Sequence, residues 1–280
     1  MPSLELLRKY DALRAYFSDF DADGICIAFS GGVDSSLLLK IAVEVSSRPV
    51  LAVILETQLH PHSDTEAAKR LAETIGADCE VIQIDEFQEP KLLQNPVDRC
   101  YLCKRLLFSQ LKALAQRKGY QAVFDGTNKD DENQYRPGMR VLKELEIKSP
   151  LLALGITKQE VRALSKMLDL PTASLPSTPC LATRLPYGAL LDRDLLMRIH
   201  DGEDYLRQLG LYNVRLRFHD PLVRIETDCD SFSALIEHRD AIIRKLKQLG
   251  FVYITLDLEG FRSGSMDIQI QDAQPVSKPR

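Results

Sequence analysis

Seven consecutive residues near the start of the chain have the types and order that bind phosphate groups. The run from Ser30 to Ser36 reads Ser-Gly-Gly-Val-Asp-Ser-Ser, and it separates the apolar run Ile25 to Phe29 from a helix-like segment that begins at Leu37. A strand, a glycine turn and a helix start together aim successive backbone N–H groups at one point, where the helix dipole adds partial positive charge. We therefore predict a phosphate-binding loop, with the serine hydroxyls as further donors.

Asp34 is the one member of this run that would repel a phosphate. A carboxylate beside a phosphate is favourable only if a cation lies between them, so we predict that Asp34 faces a Mg²⁺-bound pyrophosphate and also caps the helix. The run lacks the Gly-Lys-Ser/Thr ending of the Walker motif. It resembles instead the pyrophosphate loop (PP-loop) of enzymes that cleave ATP between its α and β phosphates. The alternative is an ordinary serine-glycine turn between a strand and a helix.

A second polar segment follows a later apolar run. Residues 125–131 read Asp-Gly-Thr-Asn-Lys-Asp-Asp. Asn128 can hydrogen-bond an acyl or nucleotide group, and Asp130 or Asp131 could hold Mg²⁺. The alternative is a solvated turn, which Asp-Gly and Asn-Lys sequences often form. PP-loop enzymes carry a similar Gly-Thr-Asn segment, which favours the functional interpretation.

Three of the six cysteines lie where thiolates are favoured. Cys100 and Cys103 form a Cys-x-x-Cys at the start of a predicted helix, whose amino terminus favours thiolates. Cys180 lies in a proline-rich loop close to Arg184. Three thiolates cannot close a tetrahedral structural zinc site, but they could hold a [4Fe–4S] cluster that keeps one iron open. The alternative is three unrelated thiols.

Paired arginines mark a later part of the chain. Arg215 and Arg217 are two residues apart on a predicted strand, so they share one face of it, and Arg224 and Glu226 do the same on the next strand. Arg262 follows in a glycine- and serine-rich run. Guanidinium pairs suit a phosphate or a carboxylate. The alternative is a solvated or salt-bridged outer face.

The elements that must position these residues form two patterns. Up to residue 125, apolar strand-like runs alternate with amphipathic helical ones, which predicts an α/β fold with a parallel sheet and helices on both of its faces. Ligands bind such sheets at the carboxyl ends of the strands. The later β-β-α-β order predicts a smaller α+β domain, with one long helix from Ser231 to Leu249. We place the two domains at residues 1–188 and 189–280.

Composition excludes some functional classes. The formal net charge is −4, so nothing favours a broad nucleic-acid-binding surface. The chain has no apolar run long enough to span a bilayer and no signal-peptide pattern at its start. We therefore expect a cytoplasmic protein without membrane partners, in which cysteines serve as thiols, metal ligands or catalysts.

Taken together, these motifs resemble the LarE-type sulfur transferases of the PP-loop superfamily, over nearly the whole chain. The resemblance is carried by residues 30–35, 99–104, 125–128, 149–151, 179–188, 224–226 and 260–265. It implies that the enzyme adenylates the carboxylates of pyridinium-3,5-biscarboxylic acid mononucleotide with ATP and then converts them to thiocarboxylates. The product would serve the nickel-pincer nucleotide of lactate racemase and related enzymes. The resemblance also suggests a homo-oligomer, for example a hexamer.

The resemblance assigns roles to individual residues. ATP and its Mg²⁺-bound pyrophosphate would contact Ser30, Gly31, Gly32, Asp34, Ser35, Ser36, Gly126, Asn128 and Asp131. The substrate's phosphate and carboxylate would contact Arg184, Arg215, Arg217, Glu226 and Arg262. Cys180 and Asp34 would be catalytic. In one form of the family the cysteine matching Cys180 gives up its own sulfur; in the other, three cysteines hold a [4Fe–4S] cluster that carries an extra sulfide. The presence of Cys100, Cys103 and Cys180 favours the cluster form.

Three other functions remain open at this stage. A cluster-dependent PP-loop tRNA thiolase also uses three cysteines, but the acidic charge balance argues against RNA. An amide-forming PP-loop ligase of the NAD or GMP synthetase type uses ammonia and needs no cysteine set. A non-catalytic nucleotide-binding regulator would not need the acid and hydroxyls that the loop keeps.

Overall fold

The computed structural model describes residues 2–21, 23–60, 62–133, 138–175, 180–262 and 265. Parts of two motifs, residues 177–179 and 263–264, therefore lie outside the described residues. In chain order, the helices and strands are α1 (Leu4–Ser18), β1 (Ile25–Ala28), α2 (Val33–Val45), β2 (Val50–Thr57), α3 (His62–Ile75), β3 (Asp78–Ile84), α4 (Pro90–Leu93), α5 (Arg99–Arg117), β4 (Ala122–Phe124), α6 (Met139–Glu144), α7 (Pro150–Ala153), α8 (Lys158–Met167), α9 (Arg193–Gln208), β5 (Val214–His219), β6 (Leu222–Thr227), α10 (Phe232–Glu237), α11 (Arg239–Gln248) and β7 (Tyr253–Leu256). None of these helices is long and apolar enough to cross a membrane.

The chain divides into two compact units. Unit 1 comprises Met1–Glu86 and Asp98–Thr178, and unit 2 comprises Phe87–Val97 and Pro179–Arg280. The boundary that we predict at residue 188 therefore falls inside unit 2. Asn95 explains part of the difference, because its side chain donates hydrogen bonds to the carbonyls of Leu185 and Pro186. Residues 87–97 belong with the later chain through such contacts, which no local pattern reveals.

Unit 1 contains the predicted parallel sheet, with strand order β3-β2-β1-β4. Alternate residues of β1 face opposite cores: Ile25 and Ile27 pack with α1, α2 and α8, whereas Cys26 packs with α5 and α6. Helices thus cover both faces, which confirms the predicted α/β class. Since the chain moves from β1 to β2 on one side and later returns to β4 on the other, the loops after β1 and β4 are neighbours at the carboxyl edge.

Unit 2 has a three-stranded sheet of order β5-β6-β7, antiparallel and then parallel. The predicted β-β-α-β order is confirmed, but the predicted helix from Ser231 to Leu249 is two helices that meet at His238. Residues 236–240 are all exposed, so they offer no buried stripe to hold one continuous helix. Apolar residues of β5 and β6 are buried on one face, and the charged residues lie on the other.

Candidate active site

The predicted phosphate-binding loop lies between β1 and α2 in unit 1. Gly31 has a φ of 71°, which favours glycine, and a Cβ there would lie 2.9 Å from the Cβ of Ala68 in α3. The Ser35 hydroxyl donates to the Gly32 carbonyl (3.2 Å) and accepts from the Ser30 backbone N–H (3.3 Å). These contacts fix the turn while its backbone lies close to the start of α2.

The N-cap of α2 corrects one expectation about Asp34. We predict from the sequence that Asp34 caps this helix, but the N-cap is Gly32, which makes no side-chain hydrogen bond. Asp34 lies in the first turn, where side chains from two other segments contact its carboxylate. Asn128 Nδ2 donates to Asp34 Oδ1 (3.1 Å), and Lys158 Nζ forms an ion pair with Oδ2. No side chain caps the first N–H groups of α2. These groups can therefore donate to a bound anion.

Residues 125–131 pack directly against the first turn of α2. A Cβ on Gly126 would lie 3.0 Å from both Asp34 Cβ and Ser35 N, so glycine permits this approach. The structure thereby brings together the two polar segments that the sequence analysis places at one sheet edge. Asp131 has a local role, because its Oδ2 accepts the Asn128 backbone N–H (3.0 Å).

Lys158 is a site residue that the sequence analysis missed. It is the first residue of α8, directly after Thr157, whose side chain forms a capping box with Glu160. Its backbone N–H donates to Asp130 Oδ2 (2.8 Å), and its side chain reaches Asp34. The available signal was a lysine at the amino terminus of a helix, where a cation is otherwise disfavoured.

Ser36 lies apart from the other loop hydroxyls. Its side chain is 0% exposed, and its Oγ has no hydrogen-bond partner among the described residues. Ser36 therefore faces the protein interior in this conformation, whereas Ser30 is exposed. The Ser30 and Ser35 hydroxyls, by contrast, lie 3.2 Å apart within the turn.

The Cys-x-x-Cys lies at the start of α5, which begins at Arg99. Cys100 is exposed and Cys103 is half-buried, and their i, i+3 spacing puts them on one side of the helix. Next to them, Lys104 Nζ lies 3.8 Å from Oδ2 of the buried Asp125. Lys104, the residue after Cys103, therefore connects the start of α5 to the strand end that precedes Gly126.

In unit 2, Arg184 and Glu203 form a buried pair behind Cys180. Arg184 Nε and Nη2 donate to the two Glu203 carboxylate oxygens (2.7 and 2.8 Å), and the side chains are 2% and 0% exposed. Burial raises the pKa of Glu203, but hydrogen bonds and charge from Arg184 outweigh it, so the pKa lies below its usual value. Arg184 Nη1 also donates to the Cys180 carbonyl (3.4 Å). Arg184 thus holds the Cys180 segment in place.

Arg217 has a similar anchoring role. Its Nε donates to Glu226 Oε2 (2.9 Å), and its Nη1 donates to the Thr183 carbonyl (2.6 Å). Burial lowers the pKa of Arg217, and the charge of Glu226 opposes that shift. The short 3₁₀ helix Leu181–Arg184 that follows Cys180 is therefore tied to β5.

Arg215 differs from both, because no carboxylate within the described residues lies at ion-pair distance from it. Its Nη1 donates to the Val214 carbonyl (2.7 Å), and its guanidinium lies over the Phe261 ring, 5.2 Å from the centroid. Arg215 is 9% exposed. Burial and then the nearby Arg184 charge lower its pKa to about 10. A buried cation without an acid is unfavourable alone and favours an incoming anion.

A further group of charges lies on the same sheet face, towards β7. Arg224 donates to Asp257 Oδ2 (2.9 Å) and to Glu226 Oε1 (3.1 Å). Arg262 Nη2 lies 3.8 Å from Asp257 Oδ2 and 2.7 Å from Glu259 Oε2. The sequence predicts a role for Arg262 but not for Asp257. Asp257 lies near Arg224 only because β7 pairs with β6.

The predicted metal ligands divide between the units. Cys100 and Cys103 belong to unit 1 and Cys180 to unit 2. Among the described residues of either unit, no three His, Cys, Asp or Glu side chains form a metal-binding group. Cys26, by contrast, is an interior residue, and burial raises its thiol pKa to about 12.

Comparison with known proteins adds independent information. The sequence profile of the NAD synthase family matches residues 5–96. An uncharacterised protein of Synechocystis is 38% identical over 261 residues, which cover 92% of this chain and 97% of that protein. Pyridinium-3,5-bisthiocarboxylic acid mononucleotide synthase of Lactiplantibacillus plantarum is 37% identical over 255 residues, 91% and 92% of the two chains. A tRNA-cytidine(32) 2-sulfurtransferase of Bdellovibrio bacteriovorus is 29% identical over 138 residues, 47% and 53% of the two chains.

Proposed function

Because the chain belongs to the PP-loop sulfurtransferase family of pyridinium-3,5-bisthiocarboxylic acid mononucleotide synthase, we propose that it catalyses that synthesis. The substrate is pyridinium-3,5-biscarboxylic acid mononucleotide, and each of its carboxylates becomes a thiocarboxylate at the expense of one ATP. The product is the precursor of a nickel-pincer nucleotide. The reaction needs ATP and reduced thiols, both of which the cytoplasm supplies.

Each carboxylate reacts in two steps. A carboxylate oxygen attacks the α-phosphorus of ATP, the bond from that phosphorus to the bridging oxygen breaks, and pyrophosphate leaves. The acyl-adenylate then accepts sulfur at its carbonyl carbon, and the C–O bond to AMP breaks. Activation is necessary because a carboxylate resists nucleophiles, whereas AMP is a leaving group.

Unit 1 supplies the residues for activation. The backbone of the loop at Gly31 and Gly32 and the uncapped start of α2 fit the leaving pyrophosphate, and Ser30 and Ser35 add hydroxyl donors. Asp34 fits a bound Mg²⁺, because its carboxylate already faces a cation, Lys158 Nζ. The magnesium ion neutralises phosphate charge when bound. Gly126, Asn128 and Asp131 complete the nucleotide side of the site.

The observation that carries the proposal is Arg215 in unit 2. Its buried guanidinium donates to the Val214 carbonyl and lies over the Phe261 ring, with no carboxylate at ion-pair distance among the described residues. An anionic phosphate would supply the missing partner. We propose that Arg215 binds the substrate's phosphate. Arg184, Arg217 and Glu226 then act as positioning residues, since their contacts hold the Cys180 segment and the sheet face together.

The sulfur source involves Cys180. We propose that Cys100, Cys103 and Cys180 hold a [4Fe–4S] cluster, which would supply sulfide when bound. Thiolates are the ligands that such a cluster takes, and each of the three thiols is exposed or half-buried. In the alternative, the Cys180 thiolate attacks the acyl-adenylate, AMP leaves, and loss of the Cα proton with cleavage of the Cβ–S bond gives the thiocarboxylate and dehydroalanine.

Anaerobic iron and acid-labile sulfide analysis separates these sources. The cluster form predicts about four irons per chain, lost in Cys100→Ala. An iron-free wild type whose intact mass falls by one sulfur and two hydrogens after reaction with ATP and substrate contradicts the cluster and identifies Cys180 as the donor.

Pyrophosphate release tests the function itself. Purified enzyme with ATP and Mg²⁺ is expected to release pyrophosphate only when pyridinium-3,5-biscarboxylic acid mononucleotide is added. Release that depends on tRNA, or a product that forms with ammonia and no sulfur source, would contradict the proposal and favour the thiolase or the ligase. We also propose that the chain forms a homo-oligomer, specifically a hexamer. Light scattering on the purified protein measures the mass of the assembly and checks this.

A further inference from the structure

The sheet of unit 2 ends in two edge strands, β5 and β7, and the chain covers only the first of them with other segments that the structure describes. At the β5 edge, the Leu216 backbone N–H donates to Glu203 Oε1 of α9 (2.9 Å). Arg217 Nη1 donates to the Thr183 carbonyl (2.6 Å), which ties a 3₁₀ helix to the same strand. The β5 edge is therefore closed from within the chain.

The β7 edge has unpaired backbone groups. β7 pairs with β6 on one side and with no other described strand. The N–H groups of Tyr253 and Asp257 donate to carbonyls on the β6 side (3.4 and 2.9 Å). Because backbone groups alternate in direction along a strand, the N–H and C=O groups of Ile254 and Leu256 point away from β6. Within the described residues these outward groups have no backbone partner.

The residue types of β7 leave this edge open. Proteins protect a free strand edge with proline, with charged side chains or with a covering segment. β7 reads Tyr-Ile-Thr-Leu, which contains neither proline nor a charged residue. At the start of the strand, Lys247 Nζ donates to the Val252 carbonyl (2.6 Å). Beyond that contact, the edge can accept another strand.

Exposed apolar side chains surround the same edge. Val252, Tyr253 and Leu258 are 50%, 60% and 81% exposed. Ile243 of α11 is also exposed. It lies one turn before Lys247, whose contact with Val252 places this stripe of α11 beside β7. Apolar area gathered at an open strand edge is typical of an interaction surface.

The charges at the two ends of the edge indicate which partner fits. Lys247 lies at the start of β7, and Glu259 follows its end. Glu259 is 2.7 Å from Arg262, but its side chain is 69% exposed, so its carboxylate remains accessible to a second cation. If two copies of β7 run antiparallel, the Lys247 end of each copy meets the Glu259 end of the other. A parallel arrangement would bring like charges together.

We propose that β7 pairs with β7 of a second copy of this chain, antiparallel, about a twofold axis at Thr255. Ile254 of each copy then exchanges N–H···O=C bonds with Leu256 of the other, which uses the outward groups of both. The same symmetry brings Val252 of each copy towards Leu258 of the other. One patch thus serves both copies, as a twofold interface requires. The proposal does not depend on the reaction, and it assigns an interface to the proposed homo-oligomer.

The mass of the assembly tests this surface. Light scattering on the full-length wild type is expected to give an even number of chains. Val252→Lys adds a charge at an exposed edge position, and Ile254→Pro removes an outward N–H while the N–H groups that donate to β6 remain. In both variants the mass is expected to fall to half or less. Tyr212→Lys, at an exposed position beside β5, is the matched control and should keep the wild-type mass.

A cysteine at the twofold axis tests the register. Thr255 would lie opposite its own copy in a non-hydrogen-bonded pair, with Cα atoms ~4.5 Å apart, which is within the range of a disulfide. Thr255→Cys is therefore expected to form a covalent dimer on mild oxidation, visible on a non-reducing gel. Wild type and Tyr212→Cys, treated in parallel, should give much less of it.

Each outcome decides. An unchanged mass in folded Val252→Lys and Ile254→Pro overturns the interface, and so does a Thr255→Cys protein that forms no more covalent dimer than the controls. Melting temperatures show which variants fold, and if Ile254→Pro does not, Val252→Lys decides alone. A monomeric wild type also overturns the proposal and would mean that residues 266–280 or another protein cover the edge. An assembly that responds as expected but releases no pyrophosphate with the proposed substrate contradicts the proposed function and leaves the interface standing.

Discussion

The two units prepare for negatively charged groups in different ways. Unit 1 uses a glycine turn and the uncapped start of α2, with the carboxylate of Asp34 in the first turn of that helix. Unit 2 uses buried side-chain charges, such as the pair of Arg184 with Glu203. The first site is made mainly of backbone, and the second mainly of side chains that have lost their water.

This difference has an energetic consequence. The first N–H groups of any helix lack intrahelical partners, so a site made from them costs the fold little. A buried ion pair is held only while both partners are present, because an uncompensated buried charge is strongly unfavourable. Substitutions in unit 1 should therefore change rates, and substitutions in the buried network of unit 2 should also change stability.

The largest expected effect separates the two steps of the reaction. Cys180→Ala is expected to lower thiocarboxylate formation by more than ~10³-fold while adenylation continues, because Cys180 supplies or holds sulfur and does not bind ATP. Pyrophosphate release and product formation, measured on the same sample, check this. Loss of both activities in a folded Cys180→Ala would show that the division of roles is wrong.

Glu203→Gln tests the cost of breaking a buried pair. The change leaves Arg184 without its charged partner, and we expect a loss of about 3–5 kcal/mol in the free energy of unfolding at pH 7. The lowered pKa of Glu203 means that this stabilisation is fully present above the unfolded value, roughly pH 4.3, and is lost as pH falls through the folded value.

Urea unfolding at pH 7 and at acidic pH measures this effect. The difference between wild type and Glu203→Gln is expected to shrink on acidification. Glu237→Gln, at an exposed position of α10, is the matched control and should change stability by less than ~0.5 kcal/mol. A similar small change in Glu203→Gln would contradict the role assigned to the buried network.

Asp34→Asn tests unit 1, where a substitution is expected to change the reaction rate and leave stability nearly unchanged. We expect pyrophosphate release to fall by about 100-fold, or ~2.7 kcal/mol in the barrier, because the amide is a poor ligand for the magnesium ion. Stability should change by less than ~1 kcal/mol, since the side chain is partly exposed. Steady-state kinetics and thermal unfolding, with exposed Asp11→Asn as control, measure both. A large stability loss with an unchanged rate would reverse the comparison.

The smallest effect is expected at Gly126. Gly126→Ala places a Cβ 3.0 Å from Asp34 Cβ and Ser35 N, so the two segments must separate by a few tenths of an ångström. We expect a loss of ~1 kcal/mol in stability and a rise of about fivefold in KM for ATP. Gly126→Val should enlarge both effects. An unchanged KM in both variants would mean that this contact does not position the nucleotide.

Local patterns in the sequence predict most of the fold. The alternation of apolar runs around Ile27 and Ala52 predicts a buried parallel sheet, and the two-residue spacing of Arg215 and Arg217 predicts a shared face. The break at His238 is missed, because apolar spacing continues on both sides of it. Residues 87–97 are misplaced, because Asn95 reaches carbonyls that lie about 90 positions further on.

The missed site residues have the same origin. Lys158 lies 124 positions from Asp34, and the packing of α8 against α2 brings them together. Glu203 lies within an amphipathic helix, where an acid is usually solvent-exposed. Nothing local shows that Arg184, Arg207 and the Leu216 backbone N–H all donate to it. Their roles depend on contacts between segments distant in sequence, which a single sequence does not reveal.

Isotope transfer tests the central claim most directly. Pyridinium-3,5-biscarboxylic acid mononucleotide labelled with ¹⁸O in its carboxylates is converted by the wild-type enzyme in unlabelled water, and the AMP is analysed by mass spectrometry. If a carboxylate oxygen attacks the α-phosphorus and stays with AMP when sulfur displaces it, each AMP gains one ¹⁸O atom. AMP that forms with the thiocarboxylate but carries no ¹⁸O would contradict adenylation of the substrate.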